Sequence, residues 1–594
     1  MSPGVSVTPA EVRFAVISRD ATQLTLCLFD GEKETRLPML RDGDLHHLTV
    51  AGIKAGQAYG YRAAGPWAPE QALLFDNSKL LADPYALALD RPFVADPRLR
   101  GRGFDTAALV PKSIVCDPND VPVEPVKFRP GGLIYEINVR GFSMRHPDIP
   151  PRLRGTIAAL AHPAIIAHLT KLKVDAVELM PVTAWIDERH LPPLGLHNAW
   201  GYNPVVPMAL DPRLAPGGIA ELRDTVAALH RAGIGVILDL VLNHSGESDV
   251  LGPTLSLRGL DNRYYARDAD GALTNHTGTG NMLDASQPMV RNLMLDTLRH
   301  FVRHCGVDGF RFDLATVLAR GPAFDSSAPV FAEIAEDPLL SDRVLIAEPW
   351  DIGPGGYQLG RFPPNWLEWN DRYRDDIRRF WRGDPGTAGV MATRLMGSAD
   401  IYSGAVSRTV NFLAAHDGFT LTDLVRYRER HNQANGENNR DGHAENFSWN
   451  CGVEGCSSDA GIVETRAKAV RALLTTLFAS RGAIMLTAGD EFGRTQQGNN
   501  NAYAQDNEIT WLDWENRDRA LEDFVAGLST FRHAHESALG PQFLGQADWR
   551  DLNGESMTQA KWEDPALNGF LVTVPGGITI RLDRRGLRAE LRLI

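Results

Sequence analysis

The chain has 594 residues, of which 43% are apolar, 23% charged and 8% aromatic. This is the composition of a globular protein rather than a disordered or fibrous one, and the length calls for a large core domain with one or two smaller companions. Its formal net charge of -13 argues against nucleic acid or an anionic membrane as the main partner, since both reward clustered Lys and Arg; a neutral polymer remains compatible. The N-terminus shows no basic stretch followed by an apolar segment, and no apolar run approaches a membrane span, so a cytoplasmic protein is expected. Cys27, Cys116, Cys305, Cys451 and Cys456 are too few and too scattered for a disulfide framework. The close pair Cys451 and Cys456 lacks the second pair of ligands a zinc site needs. Neither a metal nor a cofactor is expected.

In chain order, residues 1–95 read as short strands: Val12, Phe14 and Val16 alternate with other residues, as do Leu24, Leu26 and Leu28, and Asp30-Gly31 supplies a turn. A small β-sandwich is predicted. Residues 96–130, rich in Pro, Asp and Arg without periodicity, read as a linker. From residue 131 to 540 a new unit repeats. Leu222, Val226 and Leu229 stripe a helix, Gly233 closes it, and Val236-Ile237-Leu238 follows as a buried strand ending at Asp239. Leu293, Met294, Phe301 and Val302, then Gly306, then Gly309-Phe-Arg-Phe-Asp313 repeat the pattern, as do Val470, Leu473, Leu474 and Leu477 before Gly482 and Ile484-Met485-Leu486. Adding the runs at 133–136, 176–179, 344–347, 366–369 and 410–413 gives eight strands and predicts an α/β fold, a closed (β/α)8 TIM barrel. No Gly-x-Gly-x-x-Gly loop supports the alternative, an open doubly wound sheet. Residues 541–594 read as a short C-terminal β domain around Pro575-Gly576-Gly577.

Reactive groups of a βα barrel gather where strands end. Asp313 and Glu348 end consecutive predicted strands and Asp417 ends one two units later, so all three should face one mouth. A single strand-end acid is more often a helix cap, but Arg311 two residues before Asp313, His416 beside Asp417, and Asn243 with His244 just past Asp239 make a cluster suited to sugar chemistry. Glycoside hydrolysis needs one carboxylate to attack or activate water and one carboxylic acid to protonate the departing oxygen. Arg311 should keep Asp313 ionised, and negative neighbours should keep Glu348 protonated.

These residues resemble a known family. Asp239-Leu-Val-Leu-Asn-His244, Gly309-Phe-Arg-Phe-Asp313, Ala347-Glu-Pro-Trp-Asp351 and Ala415-His-Asp417 stand in the order of the four signature segments of the α-amylase superfamily of glycoside hydrolases. Trp200-Gly-Tyr-Asn-Pro204, the run from Ala415 through Asn435-Gly-Glu-Asn-Asn-Arg-Asp-Gly442 to Asn450, and Gln497-Gly-Asn-Asn-Asn-Ala-Tyr503 are similar to its isoamylase and glycogen-debranching branch. The resemblance implies a retaining hydrolase of α-1,6 branch linkages in glycogen or limit dextrin. Asp313 would be the nucleophile, Glu348 the acid and later base, and Asp417 a ligand of the sugar hydroxyls. His244, His416 and Arg311 would assist, Tyr202 would stack on the ring, and Asp239 and Asn243 would be structural support. The polar loop from His431 to Asn450 would wall the branch-binding cleft. The N-terminal sandwich resembles the family's starch-binding-like module, although Trp67 is its only tryptophan, so docking on the barrel is the alternative role. The C-terminal domain is shorter than usual for the family. Trehalose-releasing hydrolases and branching transferases share the four segments, and a non-catalytic glucan-binding scaffold is the rival from another class.

Overall fold

A computed structural model describes residues 2–593. Eight parallel strands, Leu133–Ile137, Ala176–Leu179, Gly235–Leu240, Gly309–Phe312, Val344–Ala347, Trp366–Trp369, Thr409–Phe412 and Ala483–Thr487, pair in chain order. The eighth closes on the first, with Leu133 opposite Ile484. The predicted barrel is therefore present, and each strand overlaps a run read from the sequence. The runs are nearly continuous in apolar residues because both faces are covered.

Parity along each strand then decides what faces inward. Ile134, Ala176, Ile237, Ile346, Trp369, Val410 and Met485 fill the barrel interior, while Tyr135, Val177, Val236, Phe310 and Leu345 pack outward against the helices. The helix Ile219–Arg231 buries Leu222, Val226 and Leu229, and the chain turns beyond it at Gly233, φ +78°. The helix Pro288–Cys305 ends on Gly306, whose φ of +73° lets its N–H donate to the Val302 carbonyl at 2.9 Å, a left-handed cap that a side chain would disfavour.

The N-terminal region forms two four-stranded sheets. Val12, Phe14 and Val16 of one meet Leu24, Leu26 and Tyr61 of the other in a shared core, which makes the expected sandwich. Part of the segment read as linker joins it: Ser113–Ile114 pairs antiparallel with Ala58–Tyr59. Leu80, Ala82 and Ala86 pack with Ala184, Ile186, Val206 and Leu255 from the barrel's loops, so the sandwich is docked through an apolar seam. Trp67 is partly exposed, with the Arg102 guanidinium 4.6 Å from its ring centre. At the other end, Asp548–Arg550, Gly569–Val574, Ile578–Asp583 and Arg588–Leu593 form one antiparallel sheet. Its Phe570, Val572 and Ile580 merge with the barrel's helical core. Among the described residues, no helix is long and apolar enough to cross a membrane.

Candidate active site

The fourth barrel strand ends at Phe312 and the fifth at Ala347, so Asp313 and Glu348 leave adjacent strands at the same end. Asp417 differs from the sequence expectation. Its strand stops at Phe412, and the carboxylate is reached through a buried extension over Leu413, Ala414, Ala415 and His416.

One guanidinium organises the floor of the site. Arg311, fully buried, places Nη1 2.9 Å from both oxygens of Asp239 and 3.3 Å from Oδ1 of Asp313, and Nη2 3.0 Å from Oε2 of Glu348. The indole of Trp369 lies 4.3 Å from the same group, a cation–π contact in a desolvated place. Arg311 therefore engages Asp239 most closely and bridges Asp313 to Glu348, rather than serving Asp313 alone. A second donor fixes Asp313: the Asn243 amide donates to its carbonyl and to Oδ2, both at 2.7 Å. Glu348 Oε2 accepts the Leu314 N–H at 2.7 Å. Leu314 holds a φ of +41°, a left-handed conformation costly for a branched side chain and concentrated at functional sites.

Burial is the first cause that pushes the Glu348 carboxyl up, to about 8; Arg311 opposes it, and the charges of Asp313 and Asp417 add to it. Glu348 is thus a protonated acid at neutral pH, for a larger reason than the charged neighbours expected from sequence. Burial likewise lifts Asp239 to about 6, against Arg311. At Asp417 burial pushes upward too, but the hydrogen bond from His443 and the charges of His416, His443 and Arg374 outweigh it and hold the carboxyl well below its usual range. Aromatic stacking sets the neighbours on the Tyr202 side. Tyr202 donates to Asp239 Oδ2 at 2.5 Å and stacks on His416 with ring centres 4.8 Å apart, while Trp200 meets His416 edge-on at 4.9 Å. His416 donates through Nδ1 to Glu136 Oε1 at 2.8 Å. Desolvation would lower His416, but the bond and charge of Glu136 win and raise it to about 9, so it is an imidazolium. His244 lies within the same wall, its Nε2 3.0 Å from the Tyr202 carbonyl and its Nδ1 2.5 Å from Asn243. All nine residues singled out in the sequence are brought together here.

Several neighbours were not singled out. Glu136 and Glu178 were read only as letters of strands; both face the interior, and Glu178 has no hydrogen-bond partner for either oxygen. Burial, then the charge of Asp239, pushes the Glu178 carboxyl well above its usual range. The signal that could have found them is parity: a carboxyl in phase with Ile134 or Ala176 must enter the barrel. Trp369 and His443 were also missed. A cavity of about 510 Å³, whose lining includes Asn203, Gly246, His190 and Tyr503, has none of the nine residues in its wall.

Comparison with known proteins places the chain. Residues 3–86 match the model for carbohydrate-binding module 48, the isoamylase N-terminal domain. The chain is 49% identical to the glycogen debranching enzyme of Yersinia enterocolitica, covering 93% of this chain and 87% of that one. It belongs to the glycogen debranching enzyme family. The glycogen debranching enzyme of Serratia proteamaculans is 47% identical over the same shares. Among solved structures, a pullulanase from Paenibacillus barengoltzii in complex with maltohexaose and α-cyclodextrin superposes with a TM-score of 0.73 at 22% identity, covering 98% of this chain and 88% of that one. The catalytic module of a glycogen-degrading pneumococcal virulence factor gives 0.75 at 18%, with the same coverage. At such identities the likeness is one of fold; in this debranching enzyme Asp313 and Glu348 leave adjacent strands at the barrel's C-terminal mouth.

Proposed function

We propose that the enzyme hydrolyses α-1,6 branch linkages of glycogen or its limit dextrin with retention of configuration. The observation that carries the reading is the shared guanidinium: Arg311 touches Asp313 and Glu348 at once, so a carboxylate and a protonated acid face one sugar. Retaining chemistry needs the two carboxyls only about 5 to 5.5 Å apart.

In the first step an Asp313 oxygen attacks the anomeric carbon as Glu348 passes its proton to the departing O6, so one C–O bond forms and one breaks. Asn243 and Arg311 aim the attacking carboxylate, and the protonation state of Glu348 follows from its burial. In the second step Glu348, now charged, takes a proton from water, and the water oxygen displaces Asp313. Two inversions return the α configuration. Asp417 accepts hydrogen bonds from ring hydroxyls, and His416, whose Nδ1 is engaged by Glu136, keeps Nε2–H for the sugar. The half-buried face of Tyr202 stacks beneath the ring. Asp239 and Asn243 act through Arg311 and Asp313. We assign the enzyme to the cytoplasm because its proposed substrate is a stored glucan.

The test is chromatography of products from phosphorylase-trimmed glycogen, with Asp313→Asn as control. Release of linear chains that depends on Asp313 is expected. Release of trehalose, a net gain of branches, or unchanged turnover by the variant would refute the assignment.

A further inference from the structure

Asp417 accepts one side-chain hydrogen bond among the described residues, from Nε2 of His443 to Oδ2 at 3.1 Å. His443 comes from the loop between His431 and Asn450, twenty-six positions away in sequence, and its placement follows from a buried amide network. Asn432 and Asn500 exchange two bonds, Nδ2 of Asn432 to Oδ1 of Asn500 at 2.8 Å and the Asn500 N–H to Oδ1 of Asn432 at 3.0 Å. The Asn500 amide then donates to the His443 carbonyl at 2.9 Å, and Asn446 donates to the same carbonyl at 3.2 Å. The backbone of Asn500 also holds the other partner: its carbonyl accepts the Gly418 N–H at 2.8 Å, one residue after Asp417. A single buried asparagine thus sets the spacing between the histidine and the carboxylate. The residue before His443 must be small for this, since a Cβ on Gly442, φ +77°, would stand 2.3 Å from Asn500 Oδ1.

We propose that His443 is the positioning residue of Asp417: it holds Oδ2 from the loop side and so turns Oδ1 toward the hydroxyls of the sugar. The proposal rests on the reading of Asp417 as a sugar-binding carboxylate. His443 is half exposed while Asp417 is largely covered, so the histidine stands at the outer edge of the cleft and closes one side of it. The charged groups around Asp417 are His443 from this loop, His416 from its own segment, Arg374 and Arg378 from the helix Asp371–Arg382, and Glu348 across the mouth. Removing His443 takes away the strongest influence holding the Asp417 carboxyl low while leaving the burial that lifts it.

The experiment measures kcat/KM on a branched dextrin from mildly acidic to mildly basic pH, with melting temperatures, for the wild type, His443→Ala, His443→Gln and Asp417→Asn. His443→Ala should lose about 10- to 100-fold, the usual worth of a hydrogen bond to a charged group. Its acid limb should move to higher pH with an unchanged melting temperature, and His443→Gln, which keeps an N–H donor, should recover most of the loss. A His443→Ala enzyme with wild-type kcat/KM and acid limb overturns the proposal. So does a loss that tracks a fall in melting temperature while the acid limb stays in place. If Asp417→Asn is itself fully active, the reading of Asp417 fails instead.

Discussion

The division of labour proposed for Asp313 and Glu348 rests on what each carboxyl touches. Asp313 accepts from Asn243 and Arg311, whereas Glu348 is buried beside two other acids. Replacing Glu348 with Gln should lower kcat by about 10² to 10⁴-fold, the usual contribution of general acid–base catalysis. The basic limb of the wild-type profile should fall near pH 8, where Glu348 gives up its proton, and the Gln variant should lack it. His416 supplies a stability test. Its folded value is raised from 6.5 to about 9 by Glu136, so the stabilisation is fully present below 6.5 and is lost as pH rises through 9. Glu136→Gln should therefore melt lower than the wild type at neutral pH, with the gap narrowing above pH 9. Of these residues, Asp313, Glu348 and His416 were legible because they sit where apolar runs end. Glu136 and Glu178 were not, because a reading that looks only at strand tips passes over inward-facing acids within the strands.

The two loops that bear the proposed nucleophile and acid are tied together. Asp351, three residues past Glu348, accepts two bonds from Arg320 at 2.6 and 2.7 Å and one from Thr316 at 2.6 Å. Both donors lie just beyond Asp313, so the loop after Glu348 braces the loop after Asp313. Asp351 and Arg320 are buried, and breaking a buried ion pair from one side typically costs about 3–5 kcal/mol. Asp351→Ala should lose stability on that scale in chemical unfolding and should lower kcat more than it raises KM. The eight strands were readable because doubly covered strands are apolar throughout and are bounded by glycine turns. The loop from His431 to Asn450 was readable as a polar excursion, but its fold was not: its amides find partners at Asn499 and Asn500, on the loop after the eighth strand, and no local pattern announces that meeting. Arg378, which donates to the Leu413 and Asn446 carbonyls, is hidden for the same reason.

Across the whole molecule, the sandwich, barrel and C-terminal sheet share buried apolar surface. Leu255, from the loop beyond His244, packs into the seam with Leu80 and Ala82, and its carbonyl accepts the Ala82 N–H at 2.8 Å. Leu255→Ala should cost about 2–5 kcal/mol, the range for truncating a fully buried leucine. The sandwich and barrel should still unfold in one transition; independent melting of the sandwich would show that the seam is not a stabilising interface. Domain order was legible from the change in periodicity. The recruitment of Ser113–Ile114 into the sandwich was not, because two residues without alternation carry no strand signal.

The central claim is that Asp313 and Glu348 open an α-1,6 linkage by double displacement. It is tested most directly by proton NMR of limit-dextrin hydrolysis in its first turnovers. The account predicts loss of the α-1,6 anomeric signal with the new reducing end appearing first as the α anomer. First appearance of the β anomer, or loss of α-1,4 signals while the branch signal persists, would contradict it.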